Sequence, residues 1–227
     1  MNLYHGSTRI IRRPTLGEGN EHNDYGRGFY CTAEIEMAKE WACRENSDGF
    51  ANRYDFDETG LAVLDLLDGR HTILNWIAIL LQHRSFSLEN EIAVRAKDYL
   101  IERFSVDVSE YDLVTGYRAD DSYFSFARDF VNNALPLRSL GRAMRLGKLG
   151  VQYVPVSERA FARLTFSGAE PAPRTVYYPR FCTRDEKARA TYRDEIRKAV
   201  IRDDLFVLDI LREEIGDDDP RIQRLLP

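Results

Sequence analysis

The chain has 227 residues, of which 44% are hydrophobic and 30% are charged, a composition typical of a globular protein and not of a disordered one. Its net charge of -5 argues against a broad basic face for phosphate backbones, although a local basic patch stays possible. The cysteines, Cys31, Cys43 and Cys182, are widely spaced and odd in number, which favours a reducing compartment over a disulfide framework or a Cys-x-x-Cys zinc site.

No segment of the sequence predicts entry into a membrane. The longest apolar stretch, at residues 77–81, is far too short to cross a bilayer. A basic stretch followed by an apolar one, as in a secretory signal, is not found near the start of the sequence. We therefore expect a cytoplasmic protein with no membrane partner.

Strands and helices are predicted to alternate in an order that does not repeat, which indicates an α+β fold. In chain order we predict a strand over 1–4, a loop over 14–23, a helix capped by Thr32, a strand over 61–67, helices over 72–83 and 88–104, a strand over 112–117, helices over 122–132 and 137–146, a strand over 150–155, and a helix over 158–164 capped by Ser157.

The composition changes beyond Gly168, where a Pro-rich stretch at 170–173 predicts a boundary. Residues 183–186 read Thr-Arg-Asp-Glu, a capping-box signature that predicts the start of a helix reaching about residue 200. Residues 203–219 carry eight acids against one arginine. We predict one domain over 1–169 and a mainly helical appendage over 170–227.

The segment from Asp24 to Thr32, called the elbow below, carries two glycines followed by two aromatic residues. Gly26 and Gly28 can take positive φ or let another group approach the backbone closely. Phe29 and Tyr30 then leave opposite faces if the segment is extended, one toward the core and one toward a groove. A glycine turn whose rings fill the core is the alternative, since a lone Gly-x-Gly pattern is weak.

Several motifs together resemble a bacterial family of domains of unknown function within the ADP-ribosyltransferase superfamily. The resemblance covers residues 1–168. It is carried by Leu-Tyr-His-Gly-Ser at 3–7, Asp-Tyr-Gly-Arg-Gly-Phe-Tyr-Cys-Thr at 24–32, the helix with Ala38, Trp41 and Ala42, Tyr-Asp-Leu-Val-Thr-Gly at 111–116, Ala-Asp-Asp at 119–121, Val-Gln-Tyr at 151–153 and Ser-Glu-Arg-Ala at 157–160.

The resemblance implies an ADP-ribosyltransferase-like α+β fold in which two small sheets, with surrounding helices, enclose a groove for NAD. His5 would hydrogen-bond the adenine-side ribose, and the Gly6 backbone would hold the nicotinamide amide. Tyr30 would stack on the nicotinamide ring, and Gln152 would face the nicotinamide-side ribose. His5, Tyr30 and Gln152 are therefore the expected catalytic residues.

Gln152 departs from the superfamily, which usually has Glu at this position. An amide supplies an acceptor and a dipole but not the negative charge that a carboxylate brings beside the forming cation. Read without the resemblance, Gln152 is a polar residue on the solvent face of an edge strand, because Val151 and Tyr153 share the other face.

Further residues are candidates for contact with NAD. Ser7, Gly28 and Phe29 neighbour the expected site residues in sequence. Asp24 has an alternative reading as a turn former, and Asp120 and Asp121 have one as acids at a helix N-terminus. The histidines show no metal-ligand spacing with each other or with cysteines, so no metal is expected.

The resemblance implies a mono-ADP-ribosyltransferase that cleaves NAD, releases nicotinamide and modifies a macromolecular acceptor. Small members are expected to act as toxins or effectors, so an antitoxin or inhibitor protein is an expected partner. The acidic segment at 203–219 could bind it, or could simply be a solvated helix face. Two alternatives are an NAD glycohydrolase and a catalytically inactive NAD-binding module.

Overall fold

The computed structural model describes residues 1–119, 121–146, 150–197 and 204–223, without the side chains of 121–123, 143–146, 191–192, 195–197 and 223. Contacts divide these residues into two units. The first comprises 1–65, 107–116 and 150–185, and the second comprises 66–106, 117–149 and 186–227. The fold is a mixed α+β fold with two small sheets and several helices.

The strands form two sheets. They are β1 Asn2–Ser7, β2 Gly49–Phe56, β3 Val63–Asp65, β4 Leu113–Tyr117, β5 Val151–Pro155 and β6 Leu164–Ala172. The first sheet has the order β1-β2-β6, with both pairings antiparallel. The second has the order β3-β4-β5, and β3 runs parallel to β4.

The helices include several with clear capping groups. They are α1 Ile35–Ala42, α2 Ile73–His83, α3 Glu91–Phe104, α4 Asp121–Val131, α5 Leu137–Leu146, α6 Glu158–Phe161, α7 Arg174–Arg197, α8 Val207–Arg212 and α9 Pro220–Gln223. Thr72 caps α2 by accepting from the N–H of Leu74, and Ser157 caps α6 by accepting from the N–H of Ala160. No helix of the described residues is both long enough and apolar enough to span a bilayer.

The end of the elbow joins the two sheets into one layer. Thr32 exchanges two backbone hydrogen bonds with Tyr4 of β1, at 2.8 and 2.9 Å. Cys31 exchanges two with Tyr153 of β5, both at 2.9 Å. The strand order across the first unit is therefore β6-β2-β1-elbow-β5-β4-β3, and the elbow lies at its centre.

The two faces of this layer are covered differently. One face carries an apolar cluster that includes Leu3, Phe29, Cys31 and Tyr54, with Tyr153 packed against it. The other face carries Gly6, and α1 packs so closely there that a Cβ on Gly6 would lie 2.2 Å from the carbonyl oxygen of Ala38. Only glycine permits this approach of helix to strand.

The second unit has its own core, and the end of the chain contributes to it. α2 is buried along nearly its whole length and packs on α3. Beyond residue 203, the described part of the chain buries apolar side chains, namely Leu205, Val207, Ile210, Ile215 and Ile222. The hydroxyl of Tyr99 on α3 donates to the carbonyl of Ile215 at 3.0 Å. This segment is thus packed onto the helices, despite its acidic composition.

Most predicted elements are confirmed within a few residues, as β1, α1 to α6 and β3 to β5 show. β2 and β6 were not predicted, although β2 is the central strand of its sheet. The predicted helix start at Thr183 is wrong, because α7 already begins at Arg174 and runs through it. The predicted cap at Thr32 is also displaced, since α1 begins at Ile35 after Glu34, although Thr32 Oγ1 does accept from the Glu34 N–H at 3.2 Å.

The predicted boundary between residues 169 and 170 falls inside β6, which is paired with β2 as far as Ala172. The described residues after it are mainly helical, in α7, α8 and α9. The division into a domain and an appendage itself stays a prediction.

Candidate functional site

The elbow turns tightly and then becomes extended. Gly26 has φ of +73°, in the left-handed region that favours glycine. Gly28 lies against β5, where a Cβ would come within 2.5 Å of Val154 Cγ1 and 3.0 Å of the Pro155 carbonyl oxygen. The Phe29 N–H then donates to that same Pro155 carbonyl at 3.0 Å. Both glycines of the motif are therefore explained by the backbone path.

Phe29 and Tyr30 leave the elbow on opposite faces, as predicted. Phe29 is buried in the apolar cluster, 8% exposed, whereas Tyr30 is half-buried. The Tyr30 hydroxyl donates to the Gly26 carbonyl at 2.7 Å and accepts from the Tyr25 N–H at 3.0 Å. The ring of Tyr30 is thereby fixed by its own loop.

Gln152 lies on the same face as Tyr30. Because Cys31 pairs with Tyr153, the antiparallel register sets Thr32 opposite Gln152 and Tyr30 opposite Val154. Gln152 is only 5% exposed, and its Oε1 is buried without a hydrogen-bond partner among the described residues. The alternative reading of Gln152 as a solvent-face residue on an edge strand is wrong, since the elbow pairs with the outer edge of β5.

His5 lies on the face opposite to Tyr30 and Gln152. Its ring stacks on Phe29, with centroids 4.2 Å apart and planes 24° from parallel. Its Nδ1 lies 2.7 Å from the Tyr30 carbonyl oxygen. Since a carbonyl only accepts, Nδ1 carries the proton, and the neutral ring presents Nε2 as an acceptor. Burial lowers the pKa of His5 from 6.5, against the smaller raising effect of the Tyr30 carbonyl.

The backbone of Gly6 faces a gap between β1 and the elbow. Alternate residues of a strand direct N–H and C=O to the same edge, so Gly6 directs both toward the elbow as Tyr4 does. At that point the Tyr30 carbonyl is bound to His5 Nδ1 instead. No described residue forms a hydrogen bond with the N–H or C=O of Gly6 on this side. An adjacent donor and acceptor are therefore open in the gap.

Other residues predicted to contact NAD lie at the end of β1, in the elbow and at the start of α4. Ser7 ends β1, and its Oγ accepts from the Arg9 N–H at 3.3 Å. Asp24 is 4% exposed and engaged by neighbouring groups. Asp120 lies outside the described residues, as does the side chain of Asp121, whose backbone begins α4. Within the described part of the chain, no three acidic, His or Cys side chains form a group that could hold a metal.

Two buried polar residues near the site were not singled out from the sequence. Asn52 on β2 is fully buried, donates from Nδ2 to the carbonyls of His5 and Arg9 at 3.2 Å each, and accepts from the Ile11 N–H at 2.9 Å. Asp112 accepts from Ser157 Oγ and the Ala62 N–H and pairs with Arg159 at 3.1 Å. The Ser157 hydroxyl, the Ala62 N–H and Arg159 hold the pKa of Asp112 below its usual value. No sequence signal pointed to Asn52, because the strand that carries it was not predicted.

The chain belongs to the family described as a protein of unknown function (DUF3990), whose model matches residues 1–166. The match includes the elbow, β1 and β5, and it ends within β6. Neither the curated proteins nor the solved structures contain a match to the chain.

Proposed function

We propose that this protein is a mono-ADP-ribosyltransferase of the ADP-ribosyltransferase superfamily, which cleaves NAD and transfers ADP-ribose to a macromolecular acceptor. The observation that carries the proposal is the gap at Gly6, where one N–H and one C=O lie side by side with no hydrogen-bond partner on that edge among the described residues. A primary carboxamide such as that of nicotinamide offers the matching acceptor and donor. The half-buried Tyr30 borders the same gap and offers a ring for stacking.

Gln152 supports the proposal through its unpartnered Oε1. A buried acceptor without a donor costs about 1–3 kcal/mol, a cost that a bound hydroxyl would remove. A hydroxyl of the nicotinamide-side ribose is such a donor. Its hydrogen bond to Oε1 would place the negative end of the amide dipole beside the sugar as positive charge develops there.

In the proposed reaction, the bond between ribose C1′ and the nicotinamide ring nitrogen breaks, and its electron pair leaves with neutral nicotinamide. The acceptor nucleophile forms the new bond to C1′ and releases its proton to solvent. His5 acts here as a positioning residue, because its Nδ1–H fixes the Tyr30 carbonyl. We assign its Nε2, an acceptor on the face opposite to Tyr30, to the adenine-side ribose, as the resemblance implies.

The test is to incubate the purified chain with NAD and to follow nicotinamide by chromatography, with and without a bacterial extract as acceptor. We expect extract-dependent nicotinamide release by the wild type and at least a tenfold loss in Tyr30→Ala. Tyr111→Ala is the matched control, because Tyr111 is also half-buried in the first unit. Equal release without extract would indicate a glycohydrolase. No release, together with no NAD binding by calorimetry, would overturn the proposal.

A further inference from the structure

A short loop that follows β1 concentrates positive charge on a chain whose net charge is -5. Residues 8–13, called the arginine loop below, read Thr-Arg-Ile-Ile-Arg-Arg and contain no acid. Arg9, Arg12 and Arg13 are all exposed, and none pairs with a carboxylate of the described residues. By contrast, Lys39 on α1 pairs with Glu170, and Arg184 on α7 pairs with Glu40.

The arginine loop is anchored by buried polar side chains. Asn52 binds it at the carbonyl of Arg9 and at the N–H of Ile11. The hydroxyl of Tyr54, a fully buried residue, donates to the carbonyl of Ile11. Such anchoring reduces the conformational entropy that the loop would lose on binding a partner.

The anchor points of the arginine loop lie at separate places on the first sheet. The Arg9 backbone is held at Asn52 of β2, whereas the Arg12 guanidinium lies 5.2 Å from the centroid of Phe166 on β6. Phe166 pairs with Tyr54, two residues along β2 from Asn52, so these anchor points are about 8 Å apart by strand geometry. Three exposed cations on an anchored loop can contact successive phosphates of a nucleic-acid backbone.

We propose that the arginine loop is a binding surface for the phosphate backbone of a single-stranded nucleic acid, which is the acceptor of the transferase. The loop begins two residues after Gly6, so a strand bound along it passes beside the gap. His5 also shares the anchor Asn52 with the loop. The identity of the acceptor rests on the proposed transferase activity, whereas binding itself does not.

The experiment measures fluorescence anisotropy of labelled 20-nucleotide single-stranded DNA and RNA with the full chain over a range of salt concentrations. We expect Arg9→Ala/Arg12→Ala/Arg13→Ala to weaken binding of at least one of the two by tenfold or more. The magnitude of the slope of log affinity against log salt should also fall by about 2. Each phosphate contact adds about 0.7 to this slope for a single strand, and the variant lacks three arginines. Arg9→Ala/Arg13→Ala keeps the Arg12 contact with Phe166 and serves as a second variant if the triple variant does not fold.

The matched control is Arg95→Ala/Lys187→Ala/Arg212→Ala, which removes the same charge from exposed positions on α3, α7 and α8. We expect this control to bind as the wild type does. The inference is overturned if neither nucleic acid binds the wild type, or if both triple variants lose the same affinity. It is also overturned if the arginine-loop variant raises the KM for NAD without weakening nucleic-acid binding, because the loop would then bind the NAD diphosphate.

Failure of the proposed transferase activity can be distinguished from failure of the proposed nucleic-acid surface. Nucleic-acid binding that depends on the arginine loop, without nicotinamide release from NAD, would support the surface and reject the transferase. Nicotinamide release with another acceptor and no nucleic-acid binding would reject the surface alone.

Discussion

Substitution of single site residues can separate their effect on protein stability from their effect on NAD turnover. Gln152 has a buried acceptor with no hydrogen-bond partner in the described part of the chain, which lowers stability unless a ligand satisfies it. Tyr30 and His5 are instead held by hydrogen bonds within the elbow and β1. The three residues are therefore expected to respond differently when changed.

Gln152→Met should raise the free energy of unfolding by about 1 kcal/mol, because a side chain of similar size replaces an unsatisfied buried amide. The same change should lower NAD turnover by at least tenfold and should also weaken NAD binding, because the ribose hydroxyl loses its acceptor in both the bound state and the transition state. Chemical denaturation and steady-state kinetics measure the two effects. Gln82→Met is the control, because Gln82 is exposed on α2. A variant that is less stable but fully active would contradict both expectations.

His5 makes stability depend on pH. Its folded-state pKa lies below the reference value of 6.5, so the folded state binds fewer protons than the unfolded state near that pH. The stabilisation by neutral His5 is thus complete above pH 6.5 and is lost as the pH falls through the lowered pKa. His5→Asn keeps a donor for the Tyr30 carbonyl but cannot titrate.

Unfolding by urea at pH 7.5 and pH 5.5 tests this expectation. The wild type should lose more stability over this interval than His5→Asn does, because all other titrating groups are shared. An equal loss in both proteins would show that His5 does not titrate differently in the folded state.

At the scale of elements, the close packing of α1 on β1 fixes the position of the Gly6 backbone. Gly6→Ala should destabilise the protein by about 3 kcal/mol, because the added Cβ would meet the Ala38 carbonyl at 2.2 Å and the Ala42 nitrogen at 2.8 Å. Gly141→Ala on α5 is the control, since its Cβ would meet nothing within 4 Å. We expect the control to be neutral or stabilising by up to about 1 kcal/mol. Thermal unfolding of both variants checks the difference, and equal melting temperatures would contradict it.

Sequence patterns predicted the helices and the strands beside the site better than the rest of the first sheet. The strand β2 was missed because its buried Asn52 and exposed Arg53 interrupt the apolar alternation. The strand β6 was missed because it carries a glycine and a proline, which are turn signals. Pro179 similarly hid the continuity of α7, which contains it.

The candidate site was predictable in its residues but not in its arrangement. The elbow was recognised from its glycine and aromatic pattern, whereas His5, Gly6 and Gln152 were assigned through the family resemblance, and their role in a site stays a prediction. The burial of Gln152 depends on the pairing of Cys31 with Tyr153. These two residues lie far apart in the sequence. The separation of His5 from Tyr30 onto opposite faces likewise follows from a register between β1 and the elbow, which no local pattern encodes.

At the scale of the whole molecule, the family match ends at residue 166, whereas the packed structure continues. Arg184 on α7 forms a bidentate salt bridge with Glu40 on α1, with N–O distances of 2.7 and 2.8 Å. In the second unit, residues 204–222 bury apolar side chains against the helices. The acidic segment therefore has a structural role, and binding of an inhibitor there stays a prediction.

Removal of residues 204–227 should destabilise the second unit, because the cavity left by Val207, Ile210 and Ile222 would expose apolar surface. Hydrogen exchange in α2 and α3 should then become faster by at least tenfold. Protection of β1 and β2 serves as the internal reference. Unchanged protection in α2 and α3 would show that the segment is dispensable for their packing.

The most direct test of the central claim is mass spectrometry of bacterial protein and nucleic acid after brief expression of the chain. We predict that the wild type adds single ADP-ribose groups to host macromolecules, and that Gln152→Ala reduces this modification by at least tenfold at equal protein level. Gln82→Ala should modify them as the wild type does. Absence of ADP-ribose with the wild type, or equal modification by wild type and Gln152→Ala, would contradict a site in which the buried amide of Gln152 supports cleavage of NAD.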